Sequence, residues 1–262
     1  MTSRLIRLKA IALIDRSVER VSATESAHID RRAFFKSSAS ALALAWLAAC
    51  DSQGPESAAR ALAYAERKNE AIEKWLFSHN SMDYGSPGAK VAGERFPSYF
   101  VSDAVPRYDA TFAPWGLEVS GMVATPLTLS LADLMAMPSV EQRVDHFCVE
   151  GWNAVARFHG VPMTDIIKRA GVSPNATYVD FQSFDKDYHE SWDIESVTHP
   201  QTILVYGKDG VPLSPAYGAP ARVHSPIKLG YKNTTYLTKI VFMAERNGGY
   251  WSDRGYEWFG GT

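Results

Sequence analysis

The spacing of apolar and polar residues predicts short helices and strands beyond residue 50. Apolar residues recur at helical spacing over residues 56–77, with charges between them, which predicts a helix. A shorter helix over residues 131–137 begins at Ser130, a residue type that caps helices, and is stopped by Pro138. A third helix, over residues 164–170, is entered through Pro162 and closed by Gly171.

Strands are predicted between these helices. Residues 178–184 alternate as a half-buried strand does, and residues 117–123, 221–223 and 238–243 are also predicted to be extended. Asp209-Gly210 follows the run at 203–206 and predicts a hairpin, because glycine readily adopts the positive φ of a tight turn. Residues 79–98 are rich in Gly, Ser and Pro and predict a loop. Without repeats or regular βαβ alternation, an α+β fold with antiparallel or mixed sheets and short helices is favoured.

Composition and charge narrow the class of protein. The 262 residues are 46% hydrophobic and 21% charged, which is typical of a globular protein. The net charge of −2 argues against nucleic acid as a partner. The two cysteines, Cys50 and Cys148, are too few for a disulfide framework or an all-cysteine zinc site.

The N-terminal segment has the pattern of a targeting signal. Arg31 and Arg32 precede an apolar run over residues 39–49, which is too short to cross a bilayer comfortably. Paired arginines followed by Phe35 and Lys36 are typical of a signal read by the twin-arginine export machinery. The alternative is an N-terminal helix whose arginines are merely solvated. Because this machinery exports folded proteins, often with a cofactor already inserted, the signal brings a cofactor into consideration.

The end of the apolar run predicts a membrane anchor. Leu47-Ala48-Ala49-Cys50 resembles the lipobox of bacterial lipoproteins, in which the cysteine thiol carries the lipid. Ordinary cleavage after an Ala-x-Ala site is the alternative. The predicted organisation is therefore a signal over residues 1–49, an anchor, tether and helix over 50–77, and one domain over 78–262. The expected location is the periplasmic side of the inner membrane, with a lipid anchor on Cys50.

Familiar catalytic motifs are missing from the sequence, but the lone cysteine Cys148 needs an explanation. There is no Gly-x-Ser-x-Gly elbow, phosphate loop or dinucleotide fingerprint, and no His-x-His or His-Glu-x-x-His pair. A lone thiol in an oxidising compartment is a liability unless it is buried or bound. Two interpretations are open: a buried inert cysteine, or a soft thiolate ligand for a metal that an organic cofactor brings.

A second cluster places cations among glycines and prolines at residues 217–232. Arg222 has the planar fork that binds phosphate through two hydrogen bonds, and Lys228 and Lys232 act as point charges. This is a local excess of basic residues in an otherwise acidic sequence. The alternative is a solvated strand edge and turn.

Several short motifs together resemble the molybdopterin domain of the sulfite oxidase family in order and spacing. They are Cys148-Val149-Glu150-x-Trp152, Gly160-Val161-Pro162, Tyr178-Val179-x-Phe181, His199-Pro200-x-Thr202, Gly218-Ala219-Pro220-x-Arg222 and Lys228-x-Gly230-Tyr231-Lys232. The resemblance covers residues 78–243 and is closest to the periplasmic methionine-sulfoxide reductase branch. It implies a sulfite-oxidase-type fold and a molybdenum–molybdopterin cofactor.

The resemblance also implies roles for individual residues. Cys148 would be the protein ligand of molybdenum, with Asn80 and Glu150 beside the metal. The positions that would contact the pterin are His79, Met82, Asp83, Ser183, Tyr217, Arg222, Asn233, Thr234 and Thr235. The residue types at Met82, Asp83 and Ser183 differ from those of the reductase branch. Thr235 replaces a lysine that is common there, so Lys228 or Lys232 would substitute for it.

The implied function is oxygen-atom or two-electron transfer on a small substrate. Glu150 stands where sulfite oxidases carry basic groups, and a carboxylate near the centre would repel sulfite, which favours a sulfoxide reductase. The sequence has no Cys-x-x-Cys-His haem motif, so a membrane haem protein or a cytochrome would supply electrons. Two alternatives stay open: a sulfite-oxidising enzyme that passes electrons to a cytochrome, and a ligand-binding lipoprotein with an inert Cys148.

The aromatic, glycine-rich tail has two possible uses. Residues 248–261 contain two tryptophans, two tyrosines and a phenylalanine among five glycines. Such a tail lines a substrate entrance or covers a sheet edge, and packing is the favoured interpretation.

Overall fold

A computed structural model describes residues 56–76, 81–111 and 113–262. All of the strands in the described part of the chain lie in a compact unit over residues 66–262. The helices are α1 (Glu56–Leu76), α2 (Leu131–Ala136), α3 (Met163–Ala170) and α4 (Ile194–Val197). The strands are β1 (Gly116–Gly121), β2 (Leu127–Ser130), β3 (Val140–Phe147), β4 (Asn153–Pro162), β5 (Tyr178–Ser183), β6 (His189–Asp193), β7 (Ile203–Lys208), β8 (Val211–Pro212), β9 (Arg222–His224) and β10 (Leu237–Met243).

The strands form two five-stranded sheets. The first has the order β2-β1-β10-β5-β6, in which β1 and β10 are parallel and the other pairs antiparallel. The second has the order β3-β4-β7-β8, with β9 also paired to β7, and all of its pairs are antiparallel. The predicted α+β fold with mixed sheets and short helices is confirmed.

The second sheet is buried on both of its faces. Val161, Leu204 and Val223 point into a large core that they share with the first sheet and with α2 and α3. Phe158 and Val205 point the other way, into a smaller core closed by Phe96. Because side chains alternate along a strand, the neighbours of Val223 on β9 face the smaller core. This alternation directs Arg222 and His224 toward that core.

Local signals fix several of the short elements. Ser130 accepts a hydrogen bond from the Asp133 amide while the Asp133 carboxylate accepts one from the Ser130 amide, a capping box that starts α2. Helix α3 follows Pro162 and ends at Gly171, whose φ is +61°. The β7–β8 hairpin turns through Asp209 and Gly210 at positive φ, as predicted.

The predicted signal and lipid anchor of the N-terminal segment are not tested by the structure. The signal over residues 1–49 lies outside the described residues, as does the proposed anchor at Cys50. Among the described residues, no helix is long and apolar enough to span a membrane. The boundaries at residues 49 and 77 stay predictions.

Candidate functional site

Cys148 lies at the tip of the hairpin that joins β3 to β4. The Cys148 amide donates to the Trp152 carbonyl at 2.9 Å, and the Gly151 amide donates to the Cys148 carbonyl at 3.0 Å. Gly151 has a φ of +86°, which a residue with a side chain rarely adopts. Five residues thus close a tight loop that holds the thiol in one place, half-buried. Burial raises the pKa of the Cys148 thiol, and the nearby Glu150 carboxylate raises it further.

Two cavities meet at this thiol. The first has a volume of about 620 Å³ and is lined by Met82, Asp83, Cys148, Trp152 and Leu229, among others. The second has a volume of about 530 Å³ and also reaches Cys148 and Trp152. The hairpin tip therefore separates two spaces, and a group bound at the thiol can be approached from either side.

The second cavity has aromatic walls and a carboxylate at its edge; we call it the aromatic cavity. Its aromatic lining residues are Tyr99, Trp152, Tyr231, Trp251 and Tyr256. The exposed Glu150 accepts a hydrogen bond from Trp152 Nε1 at 3.0 Å and lies 3.9 Å from Cys148 Sγ. None of the described residues that line it is a lysine or an arginine. Such a space suits a neutral or cationic group better than an anion.

The tail contributes to this cavity and also packs against the fold. Trp251 and Tyr256 are in contact, with ring centroids 5.0 Å apart, and both line the aromatic cavity. Trp258 and Phe259 are almost fully buried. Part of the tail thus packs into the fold and another part lines a cavity, whereas its use as a substrate entrance stays a prediction.

A buried polar cluster lies behind the hairpin; its members are His146, His224, Arg222 and Tyr99. His146 Nδ1 and His224 Nε2 are 3.3 Å apart, and the Tyr99 hydroxyl donates to the Gly230 carbonyl. Burial and the Arg222 charge lower the pKa of His146 to about 3. Burial, the adjacent His146 and Arg222 lower the pKa of His224 well below its usual value. Both imidazoles are therefore neutral at physiological pH.

Arg222 is a buried cation for which the described part of the chain supplies no carboxylate. Only 2% of it is exposed, and its guanidinium donates to the Tyr217 and Asn233 carbonyls at 3.3 Å each. Its Nε has no hydrogen-bond partner among the described residues. A buried charge normally requires an opposite charge, so this arrangement calls for an anionic ligand.

The other predicted pterin contacts are distributed around this cluster. Met82 and Asp83 line the first cavity, and Asp83 Oδ1 accepts from the Asp145 amide at 2.8 Å. Ser183 ends β5 beside β10, and its hydroxyl accepts from the Asp185 amide at 2.9 Å. Tyr217 packs edge-on against Phe96, with ring centroids 5.7 Å apart.

The segment that follows β9 is held by Asn233. Its Oδ1 accepts from the Ser225 amide at 2.7 Å, and its Nδ2 donates to the Lys228 carbonyl at 2.9 Å. The neighbouring Thr234 is buried, and its hydroxyl has no hydrogen-bond partner in the described chain. Thr235 is also buried and leaves no room for a side chain at Gly218.

Lys228 and Lys232 have carboxylate partners of their own. Lys232 Nζ is 2.6 Å from Glu190 Oε2, and Lys228 Nζ is 3.3 Å from Asp193 Oδ1. All four side chains are essentially inaccessible to solvent. These pairs satisfy the ammonium charges within the fold and favour a structural role. A direct contact of either lysine with a phosphate stays a prediction.

The remaining predicted site residues lie outside the described part of the chain. His79 and Asn80 precede residue 81, and Arg31, Arg32 and Cys50 precede residue 56. Their roles stay predictions. Among the described residues, no three His, Cys, Asp or Glu side chains are grouped so that they could hold a metal ion by themselves.

Comparison with known proteins identifies the family. A family model described as an oxidoreductase molybdopterin-binding domain matches residues 103–251, more than half of the chain. The chain belongs to the oxidoreductase molybdopterin-binding family. It is therefore a molybdopterin-dependent oxidoreductase, and the alternative of a non-catalytic lipoprotein is wrong. The predicted fold of the sulfite-oxidase type and the predicted molybdopterin cofactor are confirmed.

Individual members of the molybdopterin-binding family are similar to this chain over different lengths. A putative protein-methionine-sulfoxide reductase subunit of Azospira oryzae is 38% identical over 233 residues, which is 88% of each chain. The protein-methionine-sulfoxide reductase catalytic subunit of Xanthomonas campestris is 33% identical over 156 residues, 54% of this chain and 48% of that one. Among solved structures, the sulfane dehydrogenase SoxCD of Paracoccus pantotrophus matches 63% of this chain and 56% of its own, with a TM-score of 0.49 and 16% identity.

The residues present fit the cofactor that the molybdopterin-binding family carries. The cofactor has an anionic phosphate, and Arg222 is a buried cation to which the described residues offer no counter-charge. It has a polar ring system, and His146, His224 and Thr234 each present a buried polar atom without a partner in the described chain. It brings a metal, and Cys148 presents a soft ligand where two cavities meet.

Sequence reasoning found Cys148, Glu150 and Arg222 but missed the two histidines. Each histidine was visible only as an isolated residue in a scattered set. A signal was nevertheless present in β9, where Arg222 and His224 alternate with the apolar Val223. Two polar residues on one face of a buried strand indicate a polar environment on that side.

Proposed function

We propose that this chain is the catalytic component of an exported sulfoxide reductase that uses a molybdenum–molybdopterin cofactor. The observation that carries the proposal is the Cys148 thiol at the meeting point of two cavities, one of them aromatic and edged by a carboxylate. The relatives from Azospira oryzae and Xanthomonas campestris, described as methionine-sulfoxide reductase subunits, support the same substrate class.

In this proposal Cys148 is the protein ligand of molybdenum, and Asn80 and Glu150 lie beside the metal. When bound, the cofactor supplies two-electron redox chemistry and oxygen-atom transfer. Arg222 holds the cofactor phosphate through its planar fork of donors. The further proposed contacts with the cofactor are made by His79, Met82, Asp83, Ser183, Tyr217, Asn233, Thr234 and Thr235.

The aromatic cavity is the proposed route of the substrate. Sulfur groups make favourable contacts with aromatic rings, and the rings of Trp251 and Tyr256 line this cavity together with Cys148. The Glu150 carboxylate disfavours an anion such as sulfite in the same space. The overall reaction converts a sulfoxide, two protons and two electrons into a sulfide and one water.

The electrons come from another protein in this proposal. The sequence contains only two cysteines, at positions 50 and 148, so it has no Cys-x-x-Cys-His haem attachment motif. A membrane haem protein, or else a cytochrome, is the proposed donor. A donor in the membrane would be consistent with the lipid anchor that we propose for this chain below.

The catalytic assignment is tested with the purified, molybdenum-loaded protein and two probes. Methionine sulfoxide reduction is measured with a dye as electron donor, and sulfite oxidation with a dye as acceptor. We expect the sulfoxide reaction to dominate and Cys148→Ser to abolish it, since serine is a harder and weaker metal donor. Cys50→Ala, which removes the other cysteine, is the matched control and should keep full activity.

Two outcomes would replace this proposal. Faster turnover of sulfite than of sulfoxide would identify the sulfite-oxidising alternative, with electrons passing to a cytochrome. Full activity of Cys148→Ser would remove the ligand assignment.

We also propose export through the twin-arginine machinery and a lipid anchor on the periplasmic side of the inner membrane. The supporting observations are the Arg31-Arg32 pair and the Leu47-Ala48-Ala49-Cys50 sequence. Replacing both arginines by lysine should leave the precursor in the cytoplasm. Cys50→Ala should be exported without lipid and should partition away from membranes. Lipid labelling that persists in Cys50→Ala would contradict the anchor.

A further inference from the structure

His146 and His224 form a buried pair whose outer nitrogens have no partner in the described chain. The inner nitrogens, His146 Nδ1 and His224 Nε2, are 3.3 Å apart. The outer nitrogens, His146 Nε2 and His224 Nδ1, are buried and lack any hydrogen bond among the described residues. The two residues are 1% and 0% exposed. A folded protein rarely leaves two such atoms unsatisfied, so each one indicates a missing partner.

The pair offers a defined pattern of hydrogen bonding. A neutral imidazole carries one donor nitrogen and one acceptor nitrogen. Because the inner nitrogens bond to each other, one of them donates and the other accepts. The outer nitrogens are then one acceptor and one donor, whichever of the two tautomeric arrangements is present. The pair therefore suits a polar ligand edge that has both a donor and an acceptor.

Two apolar aromatic rings pack directly against the pair. The His146 ring lies 5.2 Å from Phe96, and the His224 ring lies 4.3 Å from Phe158, measured between centroids. An apolar side chain of similar size would fill the same space without an unsatisfied nitrogen. The histidines thus weaken the fold of the empty protein unless something bonds to their outer nitrogens.

The position of the pair points to the molybdopterin site. His146 precedes Cys148 by two residues, and His224 shares a face of β9 with Arg222, the buried cation that has no carboxylate partner among residues 56–76, 81–111 and 113–262. Gly230 passes close to the pair: a Cβ there would lie 2.8 Å from His146 Nε2 and 3.2 Å from the Tyr99 hydroxyl. The Gly230 backbone thus packs tightly against His146 and Tyr99, and a side chain at this position would displace them.

We propose that the His146–His224 pair is part of the molybdopterin-binding surface, and that its outer nitrogens bond to the polar pterin ring system while Arg222 binds the phosphate. The pterin ring carries amide-type donors and acceptors side by side, which matches the pattern that the pair offers. The proposal depends on the cofactor and not on the substrate, so its test needs no turnover.

The test is a competition for a limiting amount of molybdopterin between wild-type and variant protein, both prepared free of cofactor. We expect His224→Leu to bind about three- to tenfold more weakly, the change expected from the loss of one hydrogen bond. His224→Gln, which keeps one donor and one acceptor, should recover part of the loss. His159→Leu is the control, because His159 has its own partner, Ser139 Oγ at 2.9 Å, and should compete as the wild type does.

The stability of the cofactor-free protein provides the second readout. Cofactor-free His224→Leu should melt at the same temperature as the wild type or higher, because it no longer buries an unsatisfied nitrogen. If it melts lower and competes equally for molybdopterin, the pair is structural, bonded through enclosed water, and the proposal is wrong. Equal competition with unchanged melting would also overturn it, since the outer nitrogens would then contribute nothing to the ligand.

Discussion

Replacing Glu190 with glutamine should destabilise the fold by about 3–5 kcal/mol, because the change leaves a buried ammonium without its counter-charge. Glu190 Oε2 and Lys232 Nζ are 2.6 Å apart, and neither side chain is accessible to solvent. Burial lowers the pKa of Lys232, and the Glu190 carboxylate opposes that effect. Without the carboxylate, the buried ammonium must either stay charged without a partner or give up its proton. Unfolding becomes easier because it exposes the ammonium to water.

The other partners of Glu190 determine how the variants differ. The carboxylate also accepts from the Trp251 amide at 2.9 Å and from the Ser252 hydroxyl at 3.0 Å. Glutamine still offers one oxygen to these donors, so Glu190→Gln chiefly removes the charge. Lys232→Met removes the opposite charge. The double variant leaves neither charge unpaired, so it should cost at least about 2 kcal/mol less than the two single losses together.

Urea unfolding of the cofactor-free protein measures these free energies for the wild type, both single variants and the double variant. For a unit of this size, the loss in Glu190→Gln corresponds to a fall in melting temperature of about 6–20 °C. Glu118→Gln is the matched control. Its pair with Lys239, at 2.9 Å, lies near the surface and should contribute no more than about 1 kcal/mol. If the losses of the two single variants simply add in the double variant, the predicted coupling is wrong. It is also wrong if Glu190→Gln lowers the unfolding free energy no more than Glu118→Gln does.

Three further outcomes are expected. A hydrogen bond to Asp180 raises the pKa of His189. The contribution of protonated His189 to stability is therefore complete below about pH 6.5 and is lost as the pH rises through the raised pKa. His189→Gln should flatten this pH dependence of the unfolding free energy, measured with urea. Gly121→Ala should cost more than about 2 kcal/mol of unfolding free energy, because its φ is +87° and a Cβ would lie 2.2 Å from the Phe242 carbonyl oxygen. Arg222→Ala should reduce cofactor affinity roughly tenfold to a hundredfold, with partial recovery in Arg222→Lys; normal molybdenum and pterin content with a lower melting temperature would show a structural arginine instead.

The elements that could be predicted from the sequence are those set by neighbouring residues. Helix α2 was predictable because Ser130 and Asp133 cap it within one turn. The end of α3 and the β7–β8 hairpin were predictable because Gly171 and Gly210 supply positive φ at the required points. Each of these signals acts over a few residues, so no knowledge of the tertiary structure was needed.

Strand β3 was not predicted, because its polar residues find their partners far along the chain. Arg143 donates to the carbonyls of Tyr84, Ser86 and Ala89, and Asp145 accepts from Ser86. These contacts allow a charged sequence to form an edge strand, and they leave no alternating pattern to detect. Strand β4 escaped for a different reason: both of its faces are largely buried, which blurs the alternation.

The site also contains some residues that local motifs reveal and others that only the tertiary structure brings together. Cys148 and Arg222 stood out because motifs with fixed spacing surround them. The pairing of His146 with His224 depends on how β3 and β9 approach across the second sheet, which no local pattern reports. The sequence singled out Lys232 as a candidate phosphate contact, but its ion-pair partner, Glu190, lies on β6 of the first sheet, far away in the sequence.

The walls of the aromatic cavity come from four stretches that are far apart in sequence: Tyr99 before the first strand, Trp152 in the hairpin, Tyr231 between β9 and β10, and Trp251 and Tyr256 in the tail. The hairpin that carries Cys148 belongs to the second sheet, whereas the tail follows the last strand of the first. Mutations in the tail can therefore remodel part of the cavity wall while the thiol keeps its position. Substrate range and cofactor attachment are then free to evolve at different rates within one chain.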